Sequence, residues 1–309
     1  MGSSPQHLLP TLLGEYFPAE VSLPSVAMVA MLSEFGISES SARTALSRLT
    51  SRGLIEATRT GRQASYRLTP GTRTRNRARR HHFMTFGARS RPWTGDWTVV
   101  SFSLPEQRQA QRHNLRRTLG QSGFVRLYDS VWIRPGRDSA PVTASLSAAL
   151  VGLDDARWSV MEARFPDEAG PQGPAAAFDL EGLAARYEEF IDRFRPEVRR
   201  AHLGLVDSAE ALVARTEVMD AWRDFADTDP DLPAHLLPAD WPRSTAREVF
   251  LDLHGRLGPL AEEHLRAVIA PHSPEAATLV THFVAPAADG AGPPSDSSSG
   301  TPEQDSRRG

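Results

Sequence analysis

The segment from Gly36 to Ile55, followed by a short basic hairpin, constrains this chain more than any other part of it. Ala42, Ala45, Leu46 and Leu49 fall at i, i+3, i+4 and i+7, the spacing that gathers residues on one face of an α-helix. The opposite face carries Ser40, Thr44, Ser47 and Ser51, with Arg43 and Arg48 at its edges. Short hydrogen-bonding side chains flanked by guanidinium groups suit a DNA groove. Ser38 is a good N-cap, although position 41 is Ser and not the Glu that a full capping box needs. Gly53 stops the helix in the way a glycine just past a helix end does. Upstream, Pro24 and Gly36 bracket an apolar segment, Ser25 to Phe35, of the length expected for a helix packing across the first. After Gly53 the pattern alternates with period two, 54–59 and 63–69, around Thr60-Gly61-Arg62, which predicts a hairpin with Arg59 and Arg62 at its tip. Arginines at such a tip can lie on phosphates or enter a minor groove. The order of helix, glycine stop and basic hairpin predicts a winged helix-turn-helix that binds DNA through Ser40, Arg43, Thr44, Ser47, Arg48, Arg59 and Arg62. The plainer alternative is an amphipathic helix beside a surface hairpin, or a winged helix that binds protein.

Charge is segregated in a way that fits the DNA reading. The formal net charge is −3, yet residues 1–92 carry 13 Arg against 5 Glu, whereas residues 166–309 carry 13 Arg against 26 acidic residues. A positive end favours nucleic acid, and an acidic remainder keeps off the phosphate backbone. All 35 basic residues are arginine. The absence of lysine excludes a Walker-type phosphate loop and a lysine Schiff base, and the absence of cysteine excludes disulfides, thiolate nucleophiles and zinc-cysteine sites. The first arginine is Arg43, so a positive N-terminal region is lacking, and the longest apolar run, Val26 to Leu32, is too short to span a bilayer. The expectation is a cytoplasmic protein with no signal segment and no membrane span.

The rest of the chain predicts an α+β multidomain protein. The winged helix-turn-helix occupies residues 1–71 and an arginine-rich linker residues 72–92. Residues 93–165 alternate as βαββαβ, the order of a ferredoxin-like split unit. Such a unit often pairs with a second copy, and a homodimer would set two recognition helices about one DNA turn apart on a palindrome. A Pro/Gly/Ala-rich linker, 166–177, leads to a C-terminal all-α domain, 178–284, in which Leu180, Leu183, Ala184, Tyr187, Ile191 and Phe194 form a first apolar stripe. The tail, 285–309, has the Pro, Gly, Ser and Asp content of a disordered segment.

At this level the chain resembles the PaaX-like transcriptional regulators, repressors of phenylacetic acid degradation. The residues that carry the resemblance are Ala42-Arg43-Thr44-Ala45-Leu46-Ser47-Arg48-Leu49 with Gly53, Gly61-Arg62 with Tyr66-Arg67-Leu68-Thr69, Gly95-Asp96-Trp97, Gly123-Phe124 with Val131-Trp132-Ile133-Arg134-Pro135, and Asp229-Pro230-Asp231-Leu232-Pro233 with Leu237-Pro238 and Trp241. The resemblance runs over roughly residues 6–270. One departure is Pro242-Arg243 after Trp241, where family members usually carry a glycine. The resemblance implies a homodimeric repressor on a palindromic operator, released by phenylacetyl-CoA or a related acyl-CoA. Such an effector needs arginines for its phosphates and an aromatic slot for its acyl group. Arg193, Arg195, Arg199 and Arg200 near Tyr187, with Trp222, Arg223 and Trp241 farther along, are the candidates. Core packing is the competing role for each aromatic, and surface ion pairing for each arginine.

An enzyme is the alternative class. The central unit is similar to small ferredoxin-like CRISPR-associated nucleases, whose first strand ends in metal-binding aspartates, but the strand Thr98 to Leu104 holds no carboxylate. Asp96 precedes it and Asp129 stands alone in a turn, so ligands for a two-metal site are missing. Gly-x-Ser-x-Gly, His-Glu-x-x-His and Gly-x-Gly-x-x-Gly are also absent. The expectation is a non-enzyme without cofactor or metal.

Overall fold

Helix α1 (Pro5–Tyr16) starts on a proline, whose fixed φ suits a first helical turn, and buries Leu8, Leu9, Leu12, Leu13 and Tyr16. The computed structural model describes residues 4–18, 20–61, 63–88, 94–167, 170 and 173–284. Arg62, residues 89–92 of the arginine-rich segment, Trp93 and the tail from residue 285 lie outside the described residues.

Two glycine stops set the angle between the next helices. α2 (Ser25–Ser33) runs out at Gly36, whose φ of 72° lets the Ile37 amide reach the Leu32 carbonyl at 3.3 Å. α3 (Glu39–Ser51) opens on Ser38, whose hydroxyl accepts from the Ser41 amide at 3.3 Å. It closes at Gly53, φ 65°, with the Leu54 amide on the Leu49 carbonyl at 2.9 Å and the Gly53 amide on Thr50, a Schellman end. β2 (Ile55–Thr60) and β3 (Gln63–Leu68) form the hairpin, and the two-residue strand β1 (Leu23–Pro24) joins it, giving the antiparallel order β1-β3-β2. The third strand has no alternation of its own to betray it in the sequence.

The arginine-rich segment is helical over α4 (Pro70–Thr85) and is anchored at both sides. Asn76 Nδ2 and Arg80 Nη1 donate to the Pro10 and Gly14 carbonyls of α1 at 3.0 and 2.7 Å. On the other side Trp222 Nε1 donates to the Phe83 carbonyl at 2.8 Å. Trp222 belongs to α8 (Ser208–Thr228), which packs with α7 (Leu180–His202) and α9 (Arg243–Ile269); α10 (Pro274–Thr278) follows. The N-terminal helices, Phe83, Met84 and Phe86, and these C-terminal helices share one hydrophobic core. Among the described residues no helix is long and apolar enough to cross a membrane.

Inside that core Glu15 of α1 meets Arg215 of α8 at 3.5 Å and His254 of α9 at 3.6 Å, all of them buried. Burial, followed by the Arg215 charge, pushes the His254 imidazole from the ordinary 6.5 down to about 4. The unfolded chain therefore takes up this proton first, so its contribution is fully present above pH 6.5 and is lost as the pH falls toward 4. A shift of this size removes about 2–3 kcal/mol of stability by pH 4.5. Urea midpoints at pH 7.5 and 4.5 check it: His254→Gln should lose distinctly less on acidification than the unmodified chain, and equal losses would show that His254 is not the titrating group.

The central sheet is built from β4 (Trp97–Ser103), β5 (Val125–Tyr128), β6 (Val131–Pro135) and β7 (Arg157–Ala163), antiparallel throughout in the order β5-β6-β4-β7. α5 (Gln109–Gln121), preceded by a 3-10 turn, and α6 (Ser139–Ala149) cover one face, packing Leu115, Leu119, Val142 and Leu146 on Val100, Phe102 and Trp132. The other face, Trp97, Val99 and Ile133, is covered by Ala175 and Phe178 and by Leu232 and Leu236 from the α8–α9 connection. β4 is therefore buried on both sides, which is why the neighbouring Val99 and Val100, one on each face, are both apolar and the strand lacks the strict alternation of a half-buried one. The segment 166–177, expected to be a linker, places Ala175 and Ala177 in that second layer.

Candidate nucleic-acid interface

The stripe Ala42, Ala45, Leu46 and Leu49 turns α3 toward the core and leaves Ser40, Arg43, Thr44, Ser47 and Arg48 exposed together on its outer face. Their conformations are partly set by the helix itself. Thr44 donates its hydroxyl to the Ser40 carbonyl at 2.9 Å, and Ser51 to the Ser47 carbonyl at 2.8 Å, so the outward lone pairs are acceptors. Arg43 donates from Nε and Nη2 to Glu39 at 2.8 and 2.6 Å. That i,i+4 pair is more than half exposed on both sides, and solvent screening leaves it weak enough for a phosphate or base edge to replace the carboxylate. The side chains of Arg48 and Arg59 make no hydrogen bond or ion pair among the described residues. The hairpin register sets Arg59 opposite Ala64, one pair back from the turn, while Arg67 is held by Glu56 at 2.6 Å. Arg62 lies outside the described residues, so its place beside Arg59 rests on sequence alone.

The residues named for the acyl-CoA are not brought into one site. Tyr187, Trp222 and Trp241 do meet, but as core: Tyr187 stacks on Phe225 at 4.1 Å and meets the edge of Trp241, and Trp222 stacks on Phe250 at 5.2 Å. The Tyr187 hydroxyl donates to Asp229 at 2.6 Å, and burial, with the Asp229 charge, pushes its pKa well above the usual range. Arg193, Arg195 and Arg199 project from the opposite, exposed face of α7, with Arg193 paired to Glu217 at 2.7 Å and lying over Phe194. Helical phase is the reason: the buried stripe Leu183, Tyr187, Phe190, Ile191, Phe194 sends those arginines to solvent. Arg200 is tied to Glu197 and Glu210. Arg223 points elsewhere again, toward α1, where its Nη1 bonds Thr11 at 3.1 Å and its guanidinium covers the Phe83 ring.

The carboxylate nearest to β4, Asp96, accepts from Arg164 Nε at 2.7 Å. The hydrogen bonds from Arg164 and Thr94 hold that carboxyl below the usual range. No group of three His, Asp or Glu residues among the described ones is placed to hold a metal ion.

Three family models match successive parts of the chain: a PaaX-like protein over residues 4–71, the PaaX protein central Cas2-like domain over 90–171, and the PaaX-like protein C-terminal domain over 178–267. The chain is 30% identical over 254 residues to the transcriptional repressor PaaX of Escherichia coli strain K12, a match covering 78% of this chain and 76% of that protein. Its fold is similar to that of an uncharacterized protein from Mycobacterium tuberculosis, with a TM-score of 0.55 at 22% identity, covering 87% of this chain and 99% of the other. With three models in order across its length and this identity to a curated relative, the chain belongs to the PaaX family.

Proposed function

We propose that this chain is a cytoplasmic transcriptional repressor that binds a palindromic operator as a homodimer and leaves it on binding phenylacetyl-CoA or a related acyl-CoA. The N-terminal unit is a winged helix-turn-helix, with α3 in the major groove and the β2–β3 hairpin as the wing. The observation that carries this reading is the outer face of α3: Ser40, Arg43, Thr44, Ser47 and Arg48 are all exposed on a helix fixed at both ends by Ser38 and Gly53. The central unit is ferredoxin-like and dimerises, a role supported by its two edge strands, β5 and β7, which leave Tyr128 and Met161 exposed. The identity to a transcriptional repressor of Escherichia coli supports repression. Binding rather than catalysis is the role, in keeping with the closure of Asp96 on Arg164.

Fluorescence anisotropy on DNA from the upstream region of its own gene, at two salt concentrations and with or without phenylacetyl-CoA, tests the reading. Sequence-specific binding released by the thioester is the expected result, and binding no tighter than to scrambled DNA would overturn it. Thr44→Ala and Ser47→Ala should each weaken operator binding and relax base preference, by about 1–3 kcal/mol per lost base contact. Arg59→Ala should instead weaken binding to every sequence and lower the salt slope by about one. Identical behaviour of the two classes of variant would mean that α3 is not the reading helix.

A further inference from the structure

A groove of about 680 Å³ lies between α1 and α4, within the size range of small-molecule sites. It is lined by seven arginines: Arg52 at the end of α3, Arg73, Arg75, Arg77, Arg79 and Arg80 of α4, and Arg223 of α8. Glu15 is the single carboxylate in its wall. Most of these cations are engaged within the protein: Arg73 by Glu20, Arg75 by the Thr72 hydroxyl, Arg79 by Asp227, Arg80 by the Gly14 carbonyl, and Arg223 through Nη1 by Asp220 at 3.3 Å and Thr11 at 3.1 Å. Arg52 and Arg77 have no side-chain hydrogen bond or ion pair among the described residues. Arg223 is only 9% exposed, and its Nε is buried without a hydrogen-bond partner, a state that favours an incoming acceptor oxygen. Phe17, Phe83 and Phe283 add apolar wall beside the arginines.

We infer that this groove binds a small organic anion bearing two or more phosphate groups, and that it is the effector site of the repressor proposed above, on which the second half of the inference rests. Guanidinium groups clustered at this density match phosphate oxygens, and the aromatic wall accepts the organic remainder. The placement also supplies a means of control. Arg52 caps α3, Leu54 and Leu68 sit at the root of the hairpin, and Arg223 belongs to the C-terminal helices, so one bound anion bridges the α3 end to α8. Any preference of the anion for one arrangement of these two elements is transmitted to the exposed face of α3.

Isothermal titration calorimetry of the full chain with phenylacetyl-CoA, coenzyme A and inorganic pyrophosphate tests the site. Coenzyme A should bind. Arg77→Ala and Arg52→Ala should each weaken it about tenfold, while the control Arg195→Ala, on the exposed face of α7, should stay within about twofold. Tighter binding of phenylacetyl-CoA than of coenzyme A would place the acyl group against the aromatic wall, whereas pyrophosphate binding as tightly as coenzyme A would identify the phosphates as the recognised group. Coenzyme A affinity unchanged in both groove variants, or lost in the α7 control, overturns the assignment. So does an unmodified chain that binds none of the three probes; if Arg77→Ala then weakens operator binding about tenfold, the groove is a DNA-backbone contact. Failure of the repressor reading is separable: coenzyme A binding that depends on Arg77 without any specific DNA binding would leave the anion site standing and remove its role in release.

Discussion

Replacing Arg215 by methionine is expected to destabilise the protein by about 3–5 kcal/mol, the typical effect of stripping one partner from a buried ion pair. Glu15 would be left charged and 5% exposed, beside a His254 that burial keeps neutral. The guanidinium also donates to the His254 carbonyl at 3.0 Å and to the Phe283 carbonyl at 2.8 Å, and it lies over the Tyr16 ring. It therefore joins α1, α8, α9 and the chain after α10 at one point. The double variant Glu15→Leu with Arg215→Met should recover a large part of the loss, because an apolar pair avoids the uncompensated charge. It should not recover all of it, since the two carbonyls remain without their donor. Urea denaturation of the three proteins measures this. A single variant that loses less than about 1 kcal/mol, or a double variant worse than the single, would show that the Glu15–Arg215 contact does not hold α1 to the C-terminal helices.

Trp222→Ala is the second large effect, about 3–5 kcal/mol for deletion of a buried aromatic. The indole is fully buried, stacked on Phe250, tilted against Phe86, Tyr187 and Phe190, and hydrogen-bonded to the α4 backbone at Phe83. Trp222→Phe retains most of the volume and loses the N–H, leaving the Phe83 carbonyl unmet at a cost of about 1–3 kcal/mol. Because this side chain touches both α4 and the C-terminal helices, both variants should melt in one cooperative transition at a lower temperature. Separate melting of N-terminal and C-terminal parts in the unmodified protein would refute the common core.

What the sequence makes legible follows from where the hydrophobic effect does the folding. α3, β4 and the first stripe of α7 are held by apolar burial, plain in the sequence as helical periodicity in the two helices and as clustered Val and Phe in the strand. α4 is not, because Thr72, Phe83 and Met84 are all it buries; its grip on α1 comes from Asn76 and Arg80 reaching backbone carbonyls, which leaves no trace in hydropathy. The shared core between residues 8–86 and 183–280 is invisible for a related reason: each half carries its own apolar stripes, and nothing in a stripe names its partner. Sequence proximity misled in the case of Tyr187 and Arg193, which lie close along the chain yet on opposite faces of one helix. The α4 arginines were visible as a charge run; that Arg52 and Arg223 would join them in one groove required the tertiary structure.

The two faces of α3 have separate fates under mutation. Ala42 and Leu46 cannot change without disturbing a core that extends into the C-terminal helices, whereas Thr44 and Ser47 touch none of it. If α3 reads the operator, relatives can diverge in target sequence while their architecture stays fixed. Transplanting residues 1–71 onto an unrelated protein would instead bare the apolar side of α2 that α9 now covers. In such a lineage new specificities arise by single substitutions on one helix face, not by exchange of domains.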